Sequence, residues 1–203
     1  MIKMVDEKKI GDSVDKKIRV MRKSVLKGPN IHALFPVVTA HVDLGDWVKT
    51  YTNENFAKKL VRLLPDLKGH TCSTGCEGDF IEKVEEGTCP AHIIEHVAIA
   101  IQDNVGSNVS FSRSKRIDED LYEIIISYEY PALASLALDG SIKVVNKLLS
   151  GEENLGDLIE NILENANEVY LKEKIGPSTK AILDAAKERD ITYKISGDEY
   201  SLF

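Results

Sequence analysis

The chain has 203 residues, 43% of them hydrophobic and 29% charged, with a formal net charge of -7. That length suits one domain of ordinary size with at most a small appendage, and no apolar run approaches the roughly 18 residues that cross a membrane, so no membrane partner is expected. The acidic balance argues against a nucleic-acid partner held by its phosphates. Residues 1–17 lack the apolar core of a signal peptide, which makes a cytoplasmic protein the expectation.

In chain order, residues 1–16 mix charged and small apolar side chains and read as a charged lead-in. Residues 17–25 alternate well enough for a strand, Lys27-Gly28-Pro29-Asn30 signals a turn, and 34–44 (LFPVVTAHVDL) is rich enough in Val, Leu and Phe for a second strand. Thr52 or Asn53 can cap a helix over 54–64, where Phe56, Leu60, Val61 and Leu64 share one face, and Pro65 stops it. The stretch 67–87 is polar and irregular, carries His70, Cys72 and Cys76, and allows a short strand or turn at 80–84. A strong helix follows over 90–104 with Pro90 in its first turn.

Strands are expected at 109–111 and 121–130, an Ala/Leu-rich helix at 131–149, an acidic helical region at 152–168, a helix capped by Ser178 or Thr179 at 178–189, and short strands at 192–195 and 200–203. Strand and helix runs do not alternate regularly. The expected fold class is therefore α+β: a mixed or antiparallel sheet packed with several helices, one main domain over 17–150, and a small C-terminal α/β appendage over 151–203.

All five histidines (32, 41, 70, 92, 96) and all three cysteines (72, 76, 89) lie between positions 32 and 96. An odd cysteine count without an export signal favours reduced thiols over a disulfide framework. His92-Ile93-Ile94-Glu95-His96 places two imidazoles at i and i+4 on one helix face, where they can chelate one ion, with Glu95 between them. This is the spacing of the inverted zinc-protease motif. Zn²⁺ would lower the pKa of a bound water to about 7, and Glu95 would act as general base.

Two His and one Glu also fall at this spacing by chance. The helix, however, is otherwise apolar, and polar groups on a buried element need partners. The third ligand is open between Cys72, just upstream, and Glu129, a carboxylate among the bulky Tyr128 and Tyr130. A structural zinc knot of Cys72, Cys76 and a histidine such as His70 competes with both. Cys89, His32 and His41 read as bystanders. Arg113, Lys115 and Arg116 form a short basic run that could receive a carboxylate or acidic peptide, against the plainer reading of a solvated loop. Gly176-Pro177-Ser178 could hold an anion at a helix N-terminus but more simply starts that helix.

Lys27-Gly28-Pro29-Asn30, Leu64-Pro65 with His70-Thr71-Cys72-Ser73, Glu86-Gly87-Thr88 leading into His92-Ile93-Ile94-Glu95-His96-Val97-Ala98, residues 109–115, Tyr128-Glu129-Tyr130 and Ile175-Gly176-Pro177-Ser178-Thr179 occur in family order. Together they resemble the N-terminal domain of cyanophycin synthetase. The resemblance implies a domain that binds the growing polymer, a β-Asp-Arg chain on a poly-Asp backbone. In many members it also implies a metallopeptidase-like site that trims polymer, which here falls on His92, Glu95 and His96. Two positions depart from the pattern: Asp79 stands between Gly78 and Phe80 where adjacent glycines are usual, and Ser112 precedes Arg113 where glycine is usual. The synthetase's ATP-grasp and Mur-ligase-like modules have no counterpart in these residues, so ligase activity is not expected.

The leading expectation is a Zn²⁺-dependent peptidase or amidase acting on a peptide or polypeptide-like substrate. Its metal ligands would be His92, His96 and Cys72 (or Glu129), its base Glu95, and its substrate contacts Arg113 and Lys115. The alternative is a non-catalytic polymer-binding or assembly module in which the Cys/His set is structural. A homo-oligomer is left open.

Overall fold

A computed structural model describes residues 17–72, 75–191, 193–196 and 199–202. The expected lead-in at 1–16 lies outside these described residues, as do Thr192 and Phe203 at the edges of the last two expected strands.

Four strands form one antiparallel sheet: β1 (Arg19–Leu26), β2 (Val37–Asp43), β3 (Ser112–Arg116) and β4 (Leu121–Ser127), in the order β1-β2-β4-β3. The register sets Lys23, Ala40, Ile124 and Ser114 in one row and Arg22, His41, Glu123 and Lys115 in the next. Successive side chains of a strand point to opposite faces. One face therefore presents Val38, Ala40, Val42, Ile124 and Ile126 to the core, and the other carries Arg22, His41, Glu123, Arg113 and Lys115.

The helices are α1 (Glu54–Leu63), α2 (Asp79–Glu86), α3 (Pro90–Asn104), α4 (Pro131–Leu149), α5 (Gly156–Glu173) and α6 (Pro177–Glu188). β5 (Tyr193–Ser196) and β6 (Glu199–Leu202) pair as a separate antiparallel ribbon. The fold is α+β, with an antiparallel sheet packed by helices. Asn53 caps α1 by accepting from the Phe56 amide at 3.0 Å, while Thr52 instead donates to the Val84 carbonyl at 2.7 Å and ties α1 to α2. Twelve of the 15 residues of α3 are buried, as its apolar character on every side requires. It packs on α4 and beneath β3 and β4. Residues Ile159, Ile162 and Ala166 of α5 join the same core.

Three expectations change. Residues 80–84 are helical rather than a strand or turn: Gly78, at φ +87°, turns the chain into α2, and Phe80 and Val84 share its buried face. The strand expected at 109–111 lies instead at 112–116, so Arg113 and Lys115 stand on β3 and not in a solvated loop. The strand from Leu121 ends at Ser127, which leaves Glu129 in the connection to α4.

Candidate functional site

The site is built around the first turns of α3. Cys89 and Pro90 start the helix, and Thr88 just before it places its hydroxyl 2.9 Å from His92 Nδ1. That contact turns His92 Nε2 toward Cys72, whose Sγ lies 3.0 Å away. Cys72 is brought in from the segment after α1: its amide donates to the Asp79 carboxylate at the start of α2. Its sulfur also lies 3.6 Å from Lys83 Nζ.

His96 stacks on the Phe80 ring at a centroid distance of 3.9 Å, and its Nδ1 lies 3.2 Å from His70 Nδ1. Cys72, His92 and His96 each offer one ligand atom within 4.8 Å of the others, and they are the one such group among the described residues. Of the two candidates for a third ligand, Cys72 converges on the histidines and Glu129 does not. Glu129 accepts from Lys180 at 3.3 Å and from the Asn108 amide at 3.4 Å. Cys76 is exposed and outside the group, so the knot of Cys72, Cys76 and a histidine is not formed.

Burial dominates the electrostatics. It holds His92 down at about 4 and His96 at about 3, in each case with nearby positive charge or imidazole adding to the effect, and it lowers His70 too. These rings are neutral at physiological pH, the form that binds metal. Glu95 Oε1 lies 3.7 Å from His92 Nε2 and 4.0 Å from His96 Nε2. Burial pushes its carboxyl up to about 8 against the opposing pull of the Ser114 hydroxyl and Arg113. Its Oε2 is buried without a hydrogen-bond partner among the described residues.

The residues that sequence reasoning missed are those that orient the ligands: Thr88, Asp79 and Phe80. Thr88 was visible only as a residue before a helix. A fixed contact four residues on, to His92, was the available signal.

A second arrangement occupies the other face of the sheet. Glu123 on β4 receives two histidines, His41 Nε2 at 3.5 Å from β2 and His32 Nε2 at 3.7 Å from the β1–β2 connection. His32 and His41, expected to be bystanders, thus pin that connection across the sheet, and Phe35 meets Phe111 edge-on beside them at 5.2 Å. Arg113 and Lys115 lie exposed along the same face on β3. They are 17 or more positions from the α3 histidines in sequence and stand on the opposite side of the sheet from Ser114, the residue that reaches Glu95.

The model of the family described as cyanophycin synthase-like N-terminal domain matches residues 38–150. Proteins named cyanophycin synthetase from Trichormus variabilis and from Synechocystis sp. are both 29% identical to this chain, over 181 and 184 residues, covering 87% and 88% of it. The chain spans only about a fifth of the length of these relatives, 20% and 21%. A synthetase forms bonds, and this kinship overturns the expectation of a zinc-dependent peptidase or amidase. The metallopeptidase and hydrolase readings fall with it. With over half of its residues matched by that one family description, the chain belongs to the cyanophycin synthase-like N-terminal domain family.

Proposed function

We propose that the chain is a non-catalytic polypeptide-binding module whose Cys/His group is structural. The observation that carries this is the exposed pair Arg113 and Lys115, aligned on one face of β3 in a chain of net charge -7. Cations held two residues apart on a strand point the same way and can meet successive carboxylates of an extended chain. The named relatives and the resemblance in sequence make the β-Asp-Arg polymer the first ligand to test. Titration of a soluble fragment of that polymer, followed by fluorescence anisotropy, gives salt-sensitive binding. Arg113→Glu with Lys115→Glu weakens it about tenfold or more, which is about 1.4 kcal/mol. Unchanged binding by the doubly reversed chain, with wild-type melting, overturns the assignment.

The chemistry of the donor set supports a structural Zn²⁺ at Cys72, His92 and His96: one thiol and two neutral imidazoles. The orphaned Glu95 Oε2 beside them points the same way. When bound, the ion would clasp the segment carrying Cys72 onto α3. Thr88 orients His92 for that task and His70 backs His96. Three cysteines outside any disulfide suit a reducing cytoplasm.

A further inference from the structure

β1 is an edge strand: the sheet order leaves one side of its backbone unpaired among the described residues. Three of its apolar side chains are strongly exposed, Val20 at 40%, Met21 at 63% and Val25 at 41%. Val25 pairs with the core residue Val38, so it belongs to the inner face, yet it is 41% exposed. Lys23, also on the inner face, reaches from the strand to α4, donating to Asp139 at 2.7 Å and to the Ser135 carbonyl at 3.4 Å.

Ser135 and Asp139 are the near rim of a groove of about 460 Å³ between α4 and α5, lined further by Leu136, Gly140, Ile162 and Asn165 among others. The open edge and the groove are thus neighbouring parts of one surface. The outward side of the same strand carries Arg22, and the stretch around it is cationic. From Lys17 to Val42 there are five Lys or Arg (17, 19, 22, 23, 27) and no Asp or Glu, in a chain whose overall charge is negative.

We infer that the β1 edge accepts an extended polypeptide as a fifth strand, one that alternates acidic and apolar side chains. An added strand takes its main-chain hydrogen bonds from the edge and its specificity from alternate side chains. On the outer face, the acidic side chains meet Arg22. On the inner face, the apolar ones cover Val25 and run toward the α4–α5 groove. A second copy of β1 does not suit this edge, because self-pairing gathers Arg19 and Arg22 of both copies along one seam, like charge near like. Edge cations that served only to repel other strands would leave the exposed valines and the groove beside them without a role. This site is separate from Arg113 and Lys115 and does not depend on how those residues are used.

The test is fluorescence anisotropy with a labelled peptide of alternating Glu and Val, about nine residues long. A second peptide of the same composition carries its Glu and Val in two blocks. The inference predicts that the alternating peptide binds at least about tenfold more tightly than the block peptide. It further predicts that Arg22→Glu and Val25→Asp each remove that preference while melting stays unchanged, and that Arg113→Glu leaves it intact. Equal binding of the two peptides, or no binding at about 1 mM, overturns the inference. So does a dimer in sedimentation that Arg22→Glu dissolves, which would give the edge to a second copy.

Discussion

His92 is engaged at both ring nitrogens, by Thr88 on one side and Cys72 on the other, and this fixed geometry gives the Cys/His group its consequences. If the group holds Zn²⁺ structurally, adding the ion at about 100 times its dissociation constant contributes about 2.7 kcal/mol. That amounts to a rise in melting temperature of about 5–10 °C for a chain of this size. Cys72→Ala abolishes the rise, and Glu129→Ala, whose carboxylate is engaged by Lys180 and Asn108, leaves it intact. Differential scanning calorimetry with and without Zn²⁺ reads both variants.

The same histidines set the acid response of chelator-treated protein. Their folded-state pKa values, about 4 and about 3, lie below the ordinary value of 6.5. As pH falls through 6.5 the unfolded chain takes up protons that the folded chain refuses, so stability is lost from about pH 6.5 down toward 4. With two such groups the slope reaches at most about 2.7 kcal/mol per pH unit. Glu95, pushed up to about 8, and Asp103, pushed up to about 6, take up protons first in the folded chain and oppose this loss over the same range, so NMR titration of the imidazole protons is the measurement, and rings that titrate near 6.5 would contradict their burial.

At the scale of the element, periodicity identified α1, α3 and α4 because each is long enough to show a face or to be apolar throughout. It failed on α2, where eight residues give only Phe80, Ile81 and Val84 as apolar signals. A short run of that kind fits strand or helix equally, and the left-handed Gly78 that starts the helix is not recognisable as such from its neighbours. β3 was displaced for a related reason: three of its five residues are cationic, and such a run reads as a loop unless a partner strand is known. Glu129 was misjudged because the apolar run of β4 leads without a break signal into the connection to α4.

Gly140 lies inside α4, where glycine costs helix propensity. In the fold it permits close approach of α5, since a Cβ there would meet Ile162 Cγ2 at 2.9 Å. Gly140→Ala gains about 1 kcal/mol of helix propensity, but overpacking costs about 1–3 kcal/mol. A net loss of about 1 kcal/mol is expected, visible as a lower urea midpoint, whereas a gain would mean that α5 moves aside freely.

For the molecule as a whole, the fold class was legible because the hydrophobic runs and their irregular order survive in the chain itself. The HxxEH helix was legible too, along with the thiol that joins it. Its role was not: two His and a Glu at that spacing describe a hydrolytic centre and a structural clasp alike. That spacing also says nothing of the depth of Glu95 beneath β3, a property of packing between residues about 20 positions apart. Charge behaved in the same way. The net value of -7 averages a cationic stretch over 17–42 with an acidic one over 148–171, which holds six Asp or Glu and no Lys or Arg. Only the sheet register shows that Arg113 and Lys115 align on one open face.

As proposed, the chain binds polypeptide without cutting it. Incubation of the Zn²⁺-supplemented chain with soluble β-Asp-Arg polymer, followed by separation of bound from free and mass spectrometry of both, tests it directly. Polymer is expected to bind in an Arg113- and Lys115-dependent manner and to be recovered at its original length. Polymer released as shorter fragments by the wild-type chain but not by Glu95→Gln would contradict it.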